Sequence, residues 1–248
     1  MGHEPYIRIV PDSDTAVLMV HGIAGTPRHF DGLLAAISET WTVYNILLEG
    51  HGGSAADFSH ASMAAWREQV RGALDELCGK YEKVFVVAHS MGTLLTIDAY
   101  AEYGNKISGI FFLASPLKIG VKPYTAVYAL QAALGFAKEG SRAELMQRDC
   151  GIELTKKLWV YLGWIPRYLE LFRLVRECRP LVKDILQPCV AVQSKHDELV
   201  SRRAMNYLMQ NPHIKIYELG KSGHFGYVPD EQTFINEKLK DLFEGVRK

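Results

Sequence analysis

The sequence predicts an α/β fold, a mostly parallel, doubly wound sheet interrupted by one helical insertion. Three observations predict it. Short apolar runs rich in β-branched and aromatic residues recur along the chain, amphipathic helical patterns separate most of them, and the alternation lapses once, between Pro116 and Pro188. With 248 residues, 48% of them hydrophobic, the chain can bury one large core.

The apolar runs place strands at 16–20, 41–48, 84–87, 107–113, 189–193 and 214–219. Helices are predicted at 30–39, 62–78, 91–103, 202–209 and 231–243. In 62–78, Met63, Trp66, Val70, Leu74 and Leu77 fall on one face. Strands alternating with helices give parallel pairing with right-handed crossovers. The 116–188 stretch contains no convincing strand, and a structureless loop of about 70 residues would be exceptional, so a helical cap is expected there. The organisation is therefore a core of 1–115 and 189–248 with a cap of 116–188. The cap carries Tyr124, Tyr128, Phe136, Trp159, Tyr161, Trp164, Tyr168 and Phe172, expected to pack its own interior.

Lys plus Arg and Asp plus Glu both number 28, so nothing in the overall charge suggests steering toward nucleic acid or an anionic membrane. The segment 117–187 is locally basic, with 12 Lys or Arg against 7 Asp or Glu. A solvated helical surface is the expected reading, and an anionic part on the substrate is its rival. Cys78, Cys150, Cys178 and Cys189 form no C-x-x-C pair and are expected to be reduced thiols. Residues 1–6 offer neither a basic n-region nor an apolar h-region, and no apolar run approaches membrane-helix length, so a soluble, cytoplasmic protein without stable membrane insertion is expected.

The chemistry begins where the 84–87 strand runs into Ala88-His89-Ser90-Met91-Gly92 and a helix follows at once. A nucleophile elbow is expected in this setting, with small residues two before and two after the serine so that strand and helix pass closely. Ala88 and Gly92 fill those places, and Ser90 is the candidate nucleophile. A serine hydroxyl needs a base, and the base a carboxylate to fix its tautomer. The strand ending at Gln193 leads into Ser194-Lys195-His196-Asp197-Glu198, and the strand ending at Leu219 into Gly220-Lys221-Ser222-Gly223-His224. Asp197 and His224 thus follow Ser90 in the chain order this chemistry uses. His224 is preferred among nine histidines because flanking glycines free its loop to turn inward, and Asp197 is preferred over its neighbour Glu198. Backbone N–H groups of Met91 and of Ile23, in the glycine-bearing loop His21-Gly22-Ile23-Ala24-Gly25, are the expected oxyanion donors. The glycines lack dinucleotide-binding spacing, the cysteines and histidines lack zinc spacing, and neither a cofactor nor a metal is required.

On His21-Gly22-Ile23, Gly50-His51-Gly52, His89-Ser90-Met91-Gly92, His196-Asp197 and Ser222-Gly223-His224, the chain resembles the bacterial carboxylesterase and monoacylglycerol-lipase-like branch of the α/β-hydrolase family. The resemblance implies an α/β-hydrolase fold and hydrolysis of carboxylic esters through an acyl-serine intermediate. It further implies a small-molecule ester substrate of short to medium acyl length, monoacylglycerols among the candidates, under a small helical cap. Ala88, where glycine is commoner, and the diverged cap depart from the pattern. Thioester hydrolysis, acyl transfer and other hydrolyses share such a triad, and a ligand receptor on the same fold is a reading of another class. The oligomeric state stays open between monomer and homodimer.

Overall fold

A computed structural model describes residues 3–246. Met1, Gly2, Arg247 and Lys248, the ends of the two core segments and of the stretch read for a leader, lie outside the described residues. Seven strands among the described residues form one sheet in the order β1 (Tyr6–Arg8), β3 (Thr42–Ile46), β2 (Thr15–Val20), β4 (Lys83–His89), β5 (Ile107–Leu113), β6 (Cys189–Ser194) and β7 (Ile214–Leu219). All neighbouring pairs are parallel except β1 with β3. The chain steps from β2 outward to β3, then returns past β2 to β4 and continues to β7. The direction therefore reverses between β2 and β4, and ligands of open parallel sheets gather beyond the strand carboxyl ends at such a reversal.

The central strands are apolar through their middles because both faces are covered. Leu18, Val20, Val86, Ala88, Ile110, Phe112 and Ala191 face one cluster, while Val17, Met19, Phe85, Val87, Phe111, Leu113 and Val192 face the other. That alternation is the period of two of a strand, here serving two cores at once. The first cluster is sealed by α3 (Met63–Lys80), α4 (Met91–Tyr103) and α7 (Ile165–Leu181). The second is sealed by α1 (Asp31–Leu34) and α9 (Pro229–Gly245). All five predicted residues on the inner face of α3 are buried, and the Trp66 indole also donates to the Glu49 carbonyl at 2.8 Å.

Three local differences from the sequence reading have physical causes. The predicted helix 30–39 is a 3-10 turn, Pro27–Phe30, capped by the Thr26 hydroxyl and running into the four-residue α1. The predicted 202–209 helix divides into a 3-10 turn, Arg202–Ala204, and α8 (Met205–Leu208). The unexpected α2 (Ala55–His60) begins with a capping box in which Ser54 and Asp57 satisfy each other's backbone N–H groups.

The 116–188 stretch is helical, with α5 (Pro123–Leu134), α6 (Arg142–Asp149), a 3-10 turn Leu158–Trp164 and α7. Its members divide by partner. Leu171, Leu174, Val175 and Cys178 of α7 join the first core cluster, whereas α5 and α6 pack mainly on each other. The aromatics divide as well. Trp164 is buried, donates its indole N–H to the Ala55 carbonyl at 2.8 Å and packs edge-on against Phe58. Phe136 and Trp159 are 69% and 67% exposed, so they do not pack the cap interior as expected. A thin helical layer has too little interior to bury both of its faces.

Trp66 is fully buried beneath α3, and its truncation leaves a large cavity that the sheet cannot fill. Trp66→Ala is expected to cost about 3–5 kcal/mol, read from the urea unfolding midpoint at unchanged slope.

Candidate active site

Ser90 stands between β4 and α4 with φ 51° and ψ −122°, a backbone conformation that a residue with a side chain adopts only where its surroundings impose it. Its N–H donates to the Leu113 carbonyl at 2.9 Å, which ties the turn to the end of β5. Its carbonyl accepts the Thr93 N–H at 2.9 Å and the Thr93 hydroxyl at 2.8 Å. A Cβ at Gly92 would lie 2.0 Å from the Val20 carbonyl oxygen, so only glycine lets α4 start this close to β2. Ala88, fully buried between Val20 and Phe112, meets the same demand on the strand side.

The loop after β2 lies directly against this turn. A Cβ at Gly22 would come within 2.8 Å of the Ser90 Cβ. His21 fixes the loop by contacting Gly22 O through Nδ1 at 2.9 Å and accepting the Leu48 N–H at Nε2, 3.0 Å. That pattern defines the Nδ1–H tautomer, and burial holds the ring well below the usual histidine range, so it stays neutral. Ala24 has φ 51° and accepts the Gly151 N–H at 2.9 Å, bringing the segment after α6 down onto this loop. Met91 opens α4, where the first N–H groups have no intrahelical acceptor.

Asp197 and His224 meet across the ends of β6 and β7. Asp197 Oδ2 is 2.8 Å from His224 Nδ1, and its Oδ1 accepts the N–H groups of Leu199 and Val200 at 2.8 and 2.7 Å. Both residues are buried. Burial pushes the His224 imidazole toward the neutral form, but the Asp197 charge and hydrogen bond, with Glu198 and Asp149 beyond, outweigh it and raise its pKa above the ordinary 6.5. Glu198 does not meet the imidazole. Its Oε2 accepts the His224 backbone N–H at 2.7 Å instead. His196 is exposed and stands apart.

Ile23, Ser90 and His224 line one cavity of about 480 Å³, beneath Ala126, Ala129 and Leu130 of α5 and Met146 of α6. Met91 and Asp197 stand behind that surface. No Lys or Arg lines it among the described residues, although the cap sequence is basic. Several of those cations reach acceptors outside the cavity: Arg167 holds the Ser59 and Ala61 carbonyls, Arg179 the Leu117 carbonyl, and Arg142 the Glu198 carboxylate.

One supporting residue escaped the sequence reading. Glu231, in the first turn of α9, accepts the N–H groups of Gly220, Lys221 and Ser222 at 2.7–2.9 Å and so clamps the loop that carries His224. Its signal was an acidic residue in a helix's first turn, which reads simply as a helix start.

A parallel sheet reversing at β2 and β4, a strained serine turn at that reversal and a buried His–Asp pair whose imidazole lines the same cavity make a candidate hydrolase site. The chain belongs to the alpha/beta hydrolase family, whose model matches residues 17–237. It is 23% identical over 239 residues to a carboxylesterase of Bacillus subtilis (strain 168), with 93% of each chain covered. It is 24% identical over 250 residues to a thermostable monoacylglycerol lipase of Bacillus sp. (strain H-257), covering 98% of this chain and 94% of that one. Among solved structures, that of the metagenome-derived lipolytic enzymes LipS and LipT shares the fold, with a TM-score of 0.75, 21% identity and 98% of both chains covered.

Gly92→Ala is expected to lower the thermal midpoint by several degrees or abolish folding, because the added methyl meets the Val20 carbonyl rather than a movable side chain.

Proposed function

We propose that the protein hydrolyses neutral carboxylic esters through an acyl-serine intermediate. The observation that carries this reading is the convergence of the Ser90 turn and the Asp197-bound His224 on one largely apolar cavity. The similarity to a carboxylesterase and a monoacylglycerol lipase supports it. In this reading His224 Nε2 takes the Ser90 hydroxyl proton as Oγ attacks the ester carbonyl. Asp197 keeps the opposite ring nitrogen protonated and stabilises the imidazolium. The N–H groups of Met91 and Ile23 receive the oxyanion, where developing charge is stabilised best. Collapse expels the alcohol, protonated by His224, and water attacking the acyl-serine completes the cycle with the same base. A cavity of about 480 Å³ with mostly apolar walls, aliphatic and aromatic, suits a short to medium acyl chain. Among the described residues its lining holds the Asp149 carboxylate and no Lys or Arg, which favours a neutral substrate over an anionic one.

The test is turnover of p-nitrophenyl esters of graded chain length, with a thioester and an anilide of the same acyl group beside them. Esters of intermediate length are expected to be preferred, and Ser90→Ala to reduce kcat by more than about 10³-fold. A serine-directed fluorophosphonate is expected to label Ser90. Turnover surviving Ser90→Ala, or a marked preference for the thioester, would count against the reading.

The pH dependence follows from the state of His224. The base must be neutral in the free enzyme, and its pKa is raised, so protonation disables it already above the ordinary histidine value. The acid limb of kcat/KM is expected to have its midpoint above pH 6.5, with activity rising as pH increases through it. A midpoint well below 6.5 would remove Asp197 as the dominant partner.

A further inference from the structure

Glu198 is buried one residue past Asp197, and each of its acceptors serves a different part of the molecule. Oε2 takes the backbone N–H of His224 at 2.7 Å. Oε1 is paired with the guanidinium of Arg142, the first residue of α6. Its main-chain carbonyl accepts the Lys122 N–H at 2.9 Å and the Thr125 hydroxyl at 3.4 Å, at the start of α5. Gly223 is pressed against the same carboxylate, since a Cβ there would stand 2.6 Å from both oxygens.

A buried carboxylate is tolerated only when it is paired and hydrogen-bonded, and removing one partner is costly. Here the partners belong to separate layers: the loop carrying His224 lies in the core, and Arg142 lies in the cap. A cap that lifts away withdraws Arg142 and leaves the carboxylate with the His224 loop alone.

We propose that Glu198 is a positioning residue that couples the seating of the cap to the placement of His224, with Arg142 as the cap's half of the latch. The inference rests on the reading of Ser90, His224 and Asp197 as the catalytic triad. Glu198 also acts on the base electrostatically. The imidazole is bonded by Asp197 and touched by the His89 ring, and the charges of Glu198 and Asp149 and the His29 ring act on it from farther away. After Asp197, Glu198 is the next negative charge favouring its protonated form.

The test compares full-length Glu198→Ala, Glu198→Gln, Arg142→Ala and the Glu198→Gln/Arg142→Ala double variant with the wild type on one p-nitrophenyl ester. Ser90→Ala and His224→Ala serve as controls. Glutamine keeps an acceptor for the His224 N–H while losing the charge and the ion pair, so it separates the two roles and protects against misfolding of the alanine variant. Glu198→Ala is expected to lose about 10- to 100-fold in kcat through misplacement of the base. Glu198→Gln and Arg142→Ala are expected to raise KM about 5- to 50-fold and to lower kcat by a smaller factor than Glu198→Ala does. The double variant should be no worse than either single one. The acid limb of Glu198→Gln is expected to move to lower pH. Wild-type KM and an unmoved acid limb in Glu198→Gln, or additive effects in the double variant, would overturn the coupling while the dead controls leave the triad standing. Activity surviving in Ser90→Ala and His224→Ala would overturn both.

Discussion

The backbone at Ser90 is the constraint around which the rest of the molecule is arranged. A side-chain-bearing residue at φ 51°, ψ −122° carries on the order of 1–3 kcal/mol of strain. Such strain persists only if the surroundings leave the chain no alternative. β4 supplies this by lying between β2 and β5, paired in parallel with both. The Leu113 carbonyl then holds the turn from one side, and the Val20 carbonyl pressed on Gly92 closes it from the other. The doubly wound topology therefore does more than build a core. It puts two strand ends against one turn and leaves the serine hydroxyl at the reversal point.

Around that turn lie several buried imidazoles, and their environments separate them chemically. His21 is fixed as a neutral hydrogen-bonding strut by Gly22 and Leu48, and His51, packed edge-on against it, is pushed down to about 4 by burial. His89 touches the His224 ring but has burial and neighbouring imidazoles against its charged form, which leave it well below the histidine range. Only His224 combines burial with a carboxylate at 2.8 Å, and it alone in this group has its pKa raised. His224 is thus set apart by its partner rather than by proximity to the serine, since burial disfavours the charged form of each of the others.

These features were unequally legible in the sequence. The central strands could be read because burial on both faces demands unbroken apolar runs, and α4 because it follows Ser90 without a gap. β1 could not: Tyr6–Arg8 is a three-residue, largely exposed edge strand, held by β3 some 35 residues later, with no pattern of its own. Ser90, Asp197 and His224 could be singled out as candidates because each lies just past the end of a recognisable strand. Glu231 and Arg142 were not, since each acts on a segment remote from it in sequence or only through a loop whose shape the sequence does not display. Glu198 was visible merely as a competitor for the imidazole, and the structure gives its carboxylate to the His224 backbone instead.

The cap's basic residues illustrate why composition misleads where geometry decides. Twelve cations in 117–187 could suggest an anionic substrate, yet Arg142, Arg167 and Arg179 reach acceptors outside the cavity, and those acceptors belong to the core or to the seam beside it. Gly151, whose Cβ would stand 1.9 Å from the Gly25 carbonyl, adds a backbone anchor directly on the loop after β2. The same segments that roof the cavity therefore brace the loop that bears Ile23 and, through Glu198, the loop that bears His224. Cations of the cap are used at this seam, which leaves its cavity-facing surface mostly apolar. In the proposed reading, substrate choice and the alignment of the reacting groups are set by one and the same layer, so a change in the cap that alters its seat is felt at His224 as well as in the pocket.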